Sequence, residues 1–184
     1  MHGRFLIVVA TVTFLSLLVV PFAQADVTRY RDGNDAHGPL DIRSVSHAHR
    51  SRRLVHIVRL QRAWPVRKLG KHAYLLLHFD LGKRAGSPER TLQVEYEKGE
   101  LVAWMFDTTV EPGKSLAPVD LSRPNARTLR VSFPNSLLRD GLRRYSWNAA
   151  TVVERKSRMC DVVVACVDWA PGAPKKTRYV KHVL

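Results

Sequence analysis

The sequence predicts an all-β fold, an antiparallel β-sandwich of the jelly-roll type, with a β-barrel as the alternative. Apolar and polar residues alternate over 92–97 and again over 128–133, which is the period of a strand with one buried face. Helical spacing is not sustained anywhere in the mature chain. Short strands separated by Gly, Pro and Asp turns are typical of two packed antiparallel sheets.

The expected strands follow one another through short turns. Lys98 and Gly99 form a connection short enough for a hairpin, which leads into 101–106. That second run is apolar on both faces and is therefore predicted to be a central strand. Three further buried strands are predicted over 54–64, 73–81 and 145–153.

The first 25 residues have the composition of a cleavable secretory signal. Arg4 precedes an apolar run over 5–20, and small residues end the segment at Ala23 and Ala25. We expect cleavage between Ala25 and Asp26 and no transmembrane anchor afterwards, because a membrane span needs about 20 apolar residues. The predicted protein is secreted or associated with the cell envelope.

After the signal, we predict a single β-sandwich domain over 26–170 and a loose, basic C-terminal tail over 171–184. The chain contains 30 Lys and Arg against 16 Asp and Glu, a formal net charge of +14. A surplus of this size attracts polyanions, which outside a cell are acidic wall polymers, anionic lipid headgroups or stray nucleic acid, and the charge alone does not choose among them. No specific nucleic-acid partner is predicted.

An arginine-rich segment is the predicted anion-binding site. It consists of Arg50, Arg52 and Arg53, which follow two histidines at His47 and His49. The alternative is a solvated strand edge that uses its charge to prevent edge-to-edge pairing. The two histidines could share one strand face and bind zinc or copper, but the adjacent positive charge favours a basic strand edge instead.

Near the mature N-terminus, hard oxygen ligands are clustered in a turn. The candidate ligands for Ca²⁺, which takes six to eight oxygens, are Asp32, Asn34, Asp35 and Asp41. The alternative is a plain turn, since Asp and Asn side chains commonly bond the backbone amides of a turn. Apart from this possible Ca²⁺, we predict no cofactor.

Aromatic residues offer a second kind of binding surface. Tyr145 and Trp147 lie in phase with Ala149 and are predicted to be core. Trp64 and Trp169 stand at predicted strand ends before prolines, so they are the better candidates for exposure and for stacking on a sugar ring.

Two segments also resemble a known group of proteins. The opening motif runs from Asp32 through Gly38-Pro39-Leu40-Asp41-Ile42, and the closing pattern joins Cys160 to Cys166-Val167-Asp168-Trp169-Ala170-Pro171. This combination is similar to a set of uncharacterised exported actinobacterial proteins. The resemblance implies a sandwich and no established activity.

Cys160 and Cys166 are the only cysteines. Two cysteines in an exported protein normally pair, which predicts a disulfide between them. One straight strand over 160–166 would instead separate the two α-carbons by roughly 20 Å, beyond the ~7 Å limit for a bridge. The compartment and the closing pattern favour the bridge, whereas the valines between the cysteines favour the strand.

The sequence carries no recognisable catalytic motif: it has neither Gly-x-Ser-x-Gly nor His-Glu-x-x-His. We therefore predict a non-catalytic binding or adhesion module of the cell envelope that engages a glycan or an anionic polymer. The alternatives are a secreted hydrolase whose site is not visible in the sequence and a structural, envelope-associated protein.

Overall fold

The structure, a computed structural model, describes residues 27–34, 36, 38–70, 72–82, 87–110, 115–154, 166–173, 176–177 and 179–184. Nearly all regular structure in these residues is strand. The strands in chain order are β1 (Thr28–Arg31), β2 (Ile42–Arg50), β3 (Arg53–Leu60), β4 (Ala73–Asp80), β5 (Arg90–Glu97), β6 (Glu100–Asp107), β7 (Ser115–Pro118), β8 (Asp120–Asn125), β9 (Thr128–Pro134), β10 (Arg144–Val153), β11 (Cys166–Ala170), β12 (Gly172–Ala173), β13 (Lys176–Thr177) and β14 (Val180–Val183). Two short 3-10 helices are Val66–Lys68 and Asn135–Leu137.

The strands form two antiparallel sheets that pack face to face. One sheet has the order β1-β2-β3-β9-β8, and the other has the order β11-β10-β4-β5-β6-β7 with β14 also paired to β10. Strands β12 and β13 form a separate two-stranded ribbon. The predicted β-sandwich is confirmed, since the described strands form two packed sheets rather than one closed barrel.

The core lies between the two sheets. It is formed by apolar side chains at alternate positions along the strands. Leu92 and Val94 of β5 and Phe133 of β9 are completely buried, as their spacing predicts. The turn at Lys98 and Gly99 has positive φ at both residues, 49° and 100°, and joins β5 to β6 as a hairpin. Burying these side chains is the main stabilising contribution, at roughly 25 cal/mol per Å² of apolar surface.

Three details of the expected fold are wrong. The strand predicted over 54–64 ends at Leu60. Trp64, predicted to be exposed, is only 2% exposed; it packs beneath Arg123, whose guanidinium carbon lies 4.6 Å from the ring centroid. The predicted loose tail contributes β14, which pairs with β10 from Arg144 to Trp147, because its alternating residues Val180 and His182 turn one side towards the sandwich.

Three predictions, the secretory signal, the calcium site and the disulfide, include residues that the structure does not describe. The signal segment 1–25 lies outside the described residues, as do Asp35 and Cys160. Among the residues described, no helix is long and apolar enough to cross a membrane.

Candidate anion-binding site

The outer face of the five-stranded sheet carries arginines in cross-strand rows. In the first row, Arg31 of β1 lies opposite Ser44 of β2, which lies opposite Arg59 of β3. In the next row, Arg29 lies opposite Ser46. That row continues through Ile57 of β3 to Arg130 of β9. Residues paired across strands point to the same side of a sheet, so these side chains share one surface.

We call this surface the basic face and define it as Arg29, Arg31, Arg43, Ser44, Ser46, Arg59, Arg127 and Arg130. A groove of about 490 Å³ runs across it and is lined by residues that include Arg29, Arg31, Arg43 and Arg59. Two adjoining depressions of about 390 and 480 Å³ share Arg59 with it, and one of them extends the surface to Arg127. The result is a continuous shallow trough rather than a closed pocket.

The arginines of the basic face are available to a ligand. Arg29, Arg31, Arg43, Arg59 and Arg127 are exposed, and within the described part of the chain none of them forms an ion pair. Guanidinium groups bind phosphate and carboxylate through paired N–H donors. The face therefore presents arginines without ion-pair partners among the described residues, and their guanidinium groups are suited to binding oxyanions.

Local backbone structure holds the edge of the trough in place. The pairing of β2 with β3 is irregular between Ile42 and Ser44, and this bulge leaves Arg43 exposed beside Ser44. The amide of Asp32 donates to the carbonyl of Arg43 at 2.9 Å, which extends the pairing of β1 beyond its last residue. Nε2 of Gln61 donates to the carbonyl of Gly33 at 3.0 Å and ties the following turn to the end of β3.

The predicted anion-binding residues lie at the other end of these strands. Arg50 and Arg53 pair with each other at the β2–β3 hairpin, and Arg52 lies in its turn. Arg53 is committed to structural contacts, since its guanidinium pairs with Asp120 and its Nη2 donates to the carbonyl of Ser132 at 3.0 Å. Arg50 and Arg52 remain exposed, and their binding role stays a prediction.

Sequence reasoning missed Arg29, Arg31 and Arg59. The signal was present, because two arginines two residues apart stand on one side of a strand. Without knowing that β1 and β3 both flank β2, these positions look like ordinary solvated side chains. The pairing of distant segments is what gathers them into one surface.

Some of the side chains predicted to bind calcium are buried or form hydrogen bonds within the fold. Asp32 and Asn34 line the groove, whereas Asp41 is 2% exposed. Oδ1 of Asp32 accepts a long hydrogen bond of 3.3 Å from the amide of Gly172. In the described ranges, no three His, Cys, Asp or Glu side chains are grouped to hold a metal ion; because Asp35 lies outside them, the calcium site stays a prediction.

Another acid joins the opening and closing motifs. Oδ2 of Asp168 accepts a hydrogen bond of 2.6 Å from the amide of Ile42, and both residues are buried. Nearby, the hydroxyl of Thr151 donates to the carbonyl of Leu40 at 2.8 Å. The two motifs that are far apart in the sequence are thus bonded to each other at one edge of the sandwich.

His47 lies in the interior rather than at a basic edge, whereas His49 of the same strand is partly exposed. His47 and His56 are opposite each other on the core face of β2 and β3, and the ring of His182 lies 4.1 Å from that of His47. Burial lowers the pKa of His56 well below its usual value, and the facing His47 and His182 lower this pKa further. A packed aromatic cluster between the two sheets accounts for the positions of His47, His56 and His182.

Trp169 is the remaining candidate for sugar stacking. It is partly buried on the second sheet, and its ring centroid lies 5.5 Å from that of His78. Burial also lowers the pKa of His78 to about 4. Trp169 therefore belongs to a packed aromatic contact, and stacking on a sugar stays a prediction.

Comparison with known proteins does not assign the chain to a family. No protein-family model matches it, and no curated protein matches it. The resemblance to exported actinobacterial proteins therefore stays a prediction, and the case for function depends on the basic face.

Proposed function

We propose that this protein is an exported, non-catalytic binding module that engages an anionic polymer of the cell envelope through the basic face. The observation that carries the proposal is the gathering of Arg29, Arg31, Arg43 and Arg59 along one open trough. None of these four arginines forms an ion pair within the described residues.

The shape of the surface favours a polymer over a small ligand. Small-molecule sites are concave and mostly apolar, with a few polar groups. The trough is open, and the residues that line it are mainly charged or polar. A polymer with repeated negative charges can contact several arginines at once, so weak individual contacts add up to useful affinity.

The chemistry of the face favours binding over hydrolysis. Hydrolysis by paired carboxylates needs two acids beside the substrate, but Asp32 is the single carboxylate among the described residues that line the trough. The lowered pKa values of His56 and His78 arise from burial in packed regions away from this surface. The secreted hydrolase remains an alternative that the test below separates.

The test measures binding of the mature protein to a sulfated dextran and to neutral dextran over a range of salt concentrations. We expect binding to the sulfated polymer alone, with affinity that falls steeply as salt rises, because bound polyanion releases counterions. The triple variant Arg29→Ala/Arg31→Ala/Arg59→Ala should lose most of this affinity.

The matched control removes the same charge elsewhere. Arg139, Arg143 and Arg144 are exposed and lie outside the basic face, and their triple alanine variant should retain most of the affinity. Equal losses in the two variants would show that net charge alone drives binding and would overturn the proposal. Release of reducing ends from the polymer would favour the hydrolase.

A further inference from the structure

The basic face places two serines of β2 in neighbouring cross-strand rows with arginines, an arrangement that goes beyond general positive charge. Ser44 lies between Arg31 and Arg59 across three adjacent strands. Ser46 lies two residues further along β2, next to Arg29. Both serines are nearly buried, at 6% and 8% exposed, so they form the floor of the trough while the arginine stems form its walls.

Each of these serines marks a place where an oxyanion can be held. An anion above Ser44 would meet guanidinium groups from the neighbouring strands on both sides, which stand about 10 Å apart at their backbones because strands are spaced by about 4.8 Å. Long arginine side chains can close that gap. An anion above Ser46 would meet Arg29 on one side and, across Ile57, Arg130 on the other.

The distance between the two places restricts the ligand. Ser44 and Ser46 are two residues apart on one strand, so their α-carbons are about 6.6 Å apart and are joined by six covalent bonds. In a phosphodiester chain with three carbons between phosphates, six bonds also join successive phosphorus atoms. An extended chain of this type therefore repeats its charge at the same interval as the serine floor.

We infer that the basic face binds a linear polyol-phosphate polymer with three carbons in each repeat, with successive phosphates above Ser44 and Ser46. This inference rests on the proposed function and specifies its ligand. Arginine is suited to the role because its planar fork matches phosphate geometry, and no lysine is among the described residues that line the trough.

Single-stranded nucleic acid has the same spacing but is disfavoured. Proteins that bind it combine basic grooves with aromatic side chains on which bases stack. The described residues that line the trough include no aromatic residue. Tyr30 of β1 points inward, where its ring stacks on that of His47. A polyol phosphate has no bases and needs no such platform.

The experiment compares poly(glycerol phosphate) with poly(ribitol phosphate), linked through its terminal carbons, at equal numbers of phosphates. The second polymer has the same charge per repeat but eight bonds between phosphorus atoms. We expect the glycerol polymer to bind the mature protein at least about tenfold more tightly, which corresponds to one charge-assisted hydrogen bond kept in register. Monomeric glycerol phosphate should bind far more weakly than either.

Single substitutions test the row geometry. Arg31→Ala and Arg59→Ala should each weaken poly(glycerol phosphate) binding by about tenfold, whereas Arg144→Ala should change it less than about twofold. Thermal unfolding midpoints of the three variants should agree, because the substituted side chains are exposed.

The outcomes separate this inference from the proposed function. If poly(glycerol phosphate) binds no more tightly than poly(ribitol phosphate) or polyglutamate, the inferred match between phosphate spacing and the serines is overturned. The proposed anion-binding function would remain. Tighter binding of oligothymidylate would identify nucleic acid as the ligand and overturn the polyol phosphate. Failure of every polyanion to bind in a way that depends on Arg31 and Arg59 would overturn both proposals.

Discussion

Nε1 of Trp147 donates a hydrogen bond of 3.1 Å to Nδ1 of His47, and the two residues belong to opposite sheets. A second link lies beside it, because the hydroxyl of Tyr145 is 3.2 Å from Nε2 of His56. Trp147 and His56 are completely buried. These polar links fix how β10 sits on β2 and β3, in a region where apolar packing alone would accept several arrangements.

Trp147→Phe should lower the free energy of unfolding by about 1–3 kcal/mol, because it removes a buried donor and leaves Nδ1 of His47 without that bond. Urea unfolding measures the change. Trp104→Phe is the matched control, since Trp104 is partly exposed and should lose less. Similar losses in the two variants would contradict a structural role for the Trp147–His47 bond.

Stability should fall on acidification because of His78. Its pKa in the folded protein is about 4, below the value of about 6.5 expected in the unfolded chain. Between pH 4 and 6.5 the unfolded chain therefore binds more protons than the folded protein does. The contribution of His78 to the free energy of unfolding is fully present above about pH 6.5. It decreases as the pH falls towards 4, by roughly 3 kcal/mol at most.

His56 should act in the same direction, since its pKa is also lowered. His78→Gln should flatten part of the decrease in stability between pH 6.5 and 4, as measured by urea unfolding at several pH values. Stability that is independent of pH over this range would show that His78 is protonated equally well in the folded and unfolded states.

Asp168→Ala should lower the free energy of unfolding by about 1–3 kcal/mol, because the buried amide of Ile42 loses its hydrogen-bond acceptor. Asp140→Ala is the control, since Asp140 is exposed. Equal effects of the two substitutions would mean that the contact between the opening and closing motifs contributes nothing.

Calcium binding in the N-terminal turn stays a prediction with a direct measurement. If Asp32, Asn34, Asp35 and Asp41 hold Ca²⁺, millimolar calcium should raise the midpoint of thermal unfolding relative to a chelator. Asp35→Ala should abolish the difference. An unchanged midpoint in the unsubstituted protein would leave the segment as a turn.

The disulfide between Cys160 and Cys166 also stays a prediction. Strand β11 begins at Cys166, and the preceding segment lies outside the described residues. We expect no free thiols when the unfolded, unreduced protein is titrated and its mass is that of a monomer. Two free thiols would exclude the bridge.

Alternation along a strand was enough to predict most of the sandwich. Leu92, Val94 and Phe133 face the core because apolar residues two apart can only be buried together on one side of a strand. The same rule does not say which strands are neighbours. That is why the final segment was expected to be loose, although Val180 packs against the core and β14 pairs with β10.

The sequence predicts the type of ligand that the candidate site binds but not the location of the site. A net charge of +14 indicates a polyanion partner, yet the prediction centred on Arg50, Arg52 and Arg53 because they are close together in the sequence. In the fold, Arg31 and Arg59 flank a common serine. Such proximity depends on long-range pairing, which local patterns do not encode.

Because β2 and β3 carry arginine and serine on one side and His47, Val58 and other core residues on the opposite side, the basic face also limits how these strands can pair. A slip of one residue would turn every side chain of a strand to the other side of the sheet. Arg59 would then enter the interior, where an unpaired charge is strongly unfavourable. Replacing Arg31 and Arg59 by leucine should therefore reduce folding specificity as well as binding, and the slipped pairing should be detectable as a second set of amide resonances.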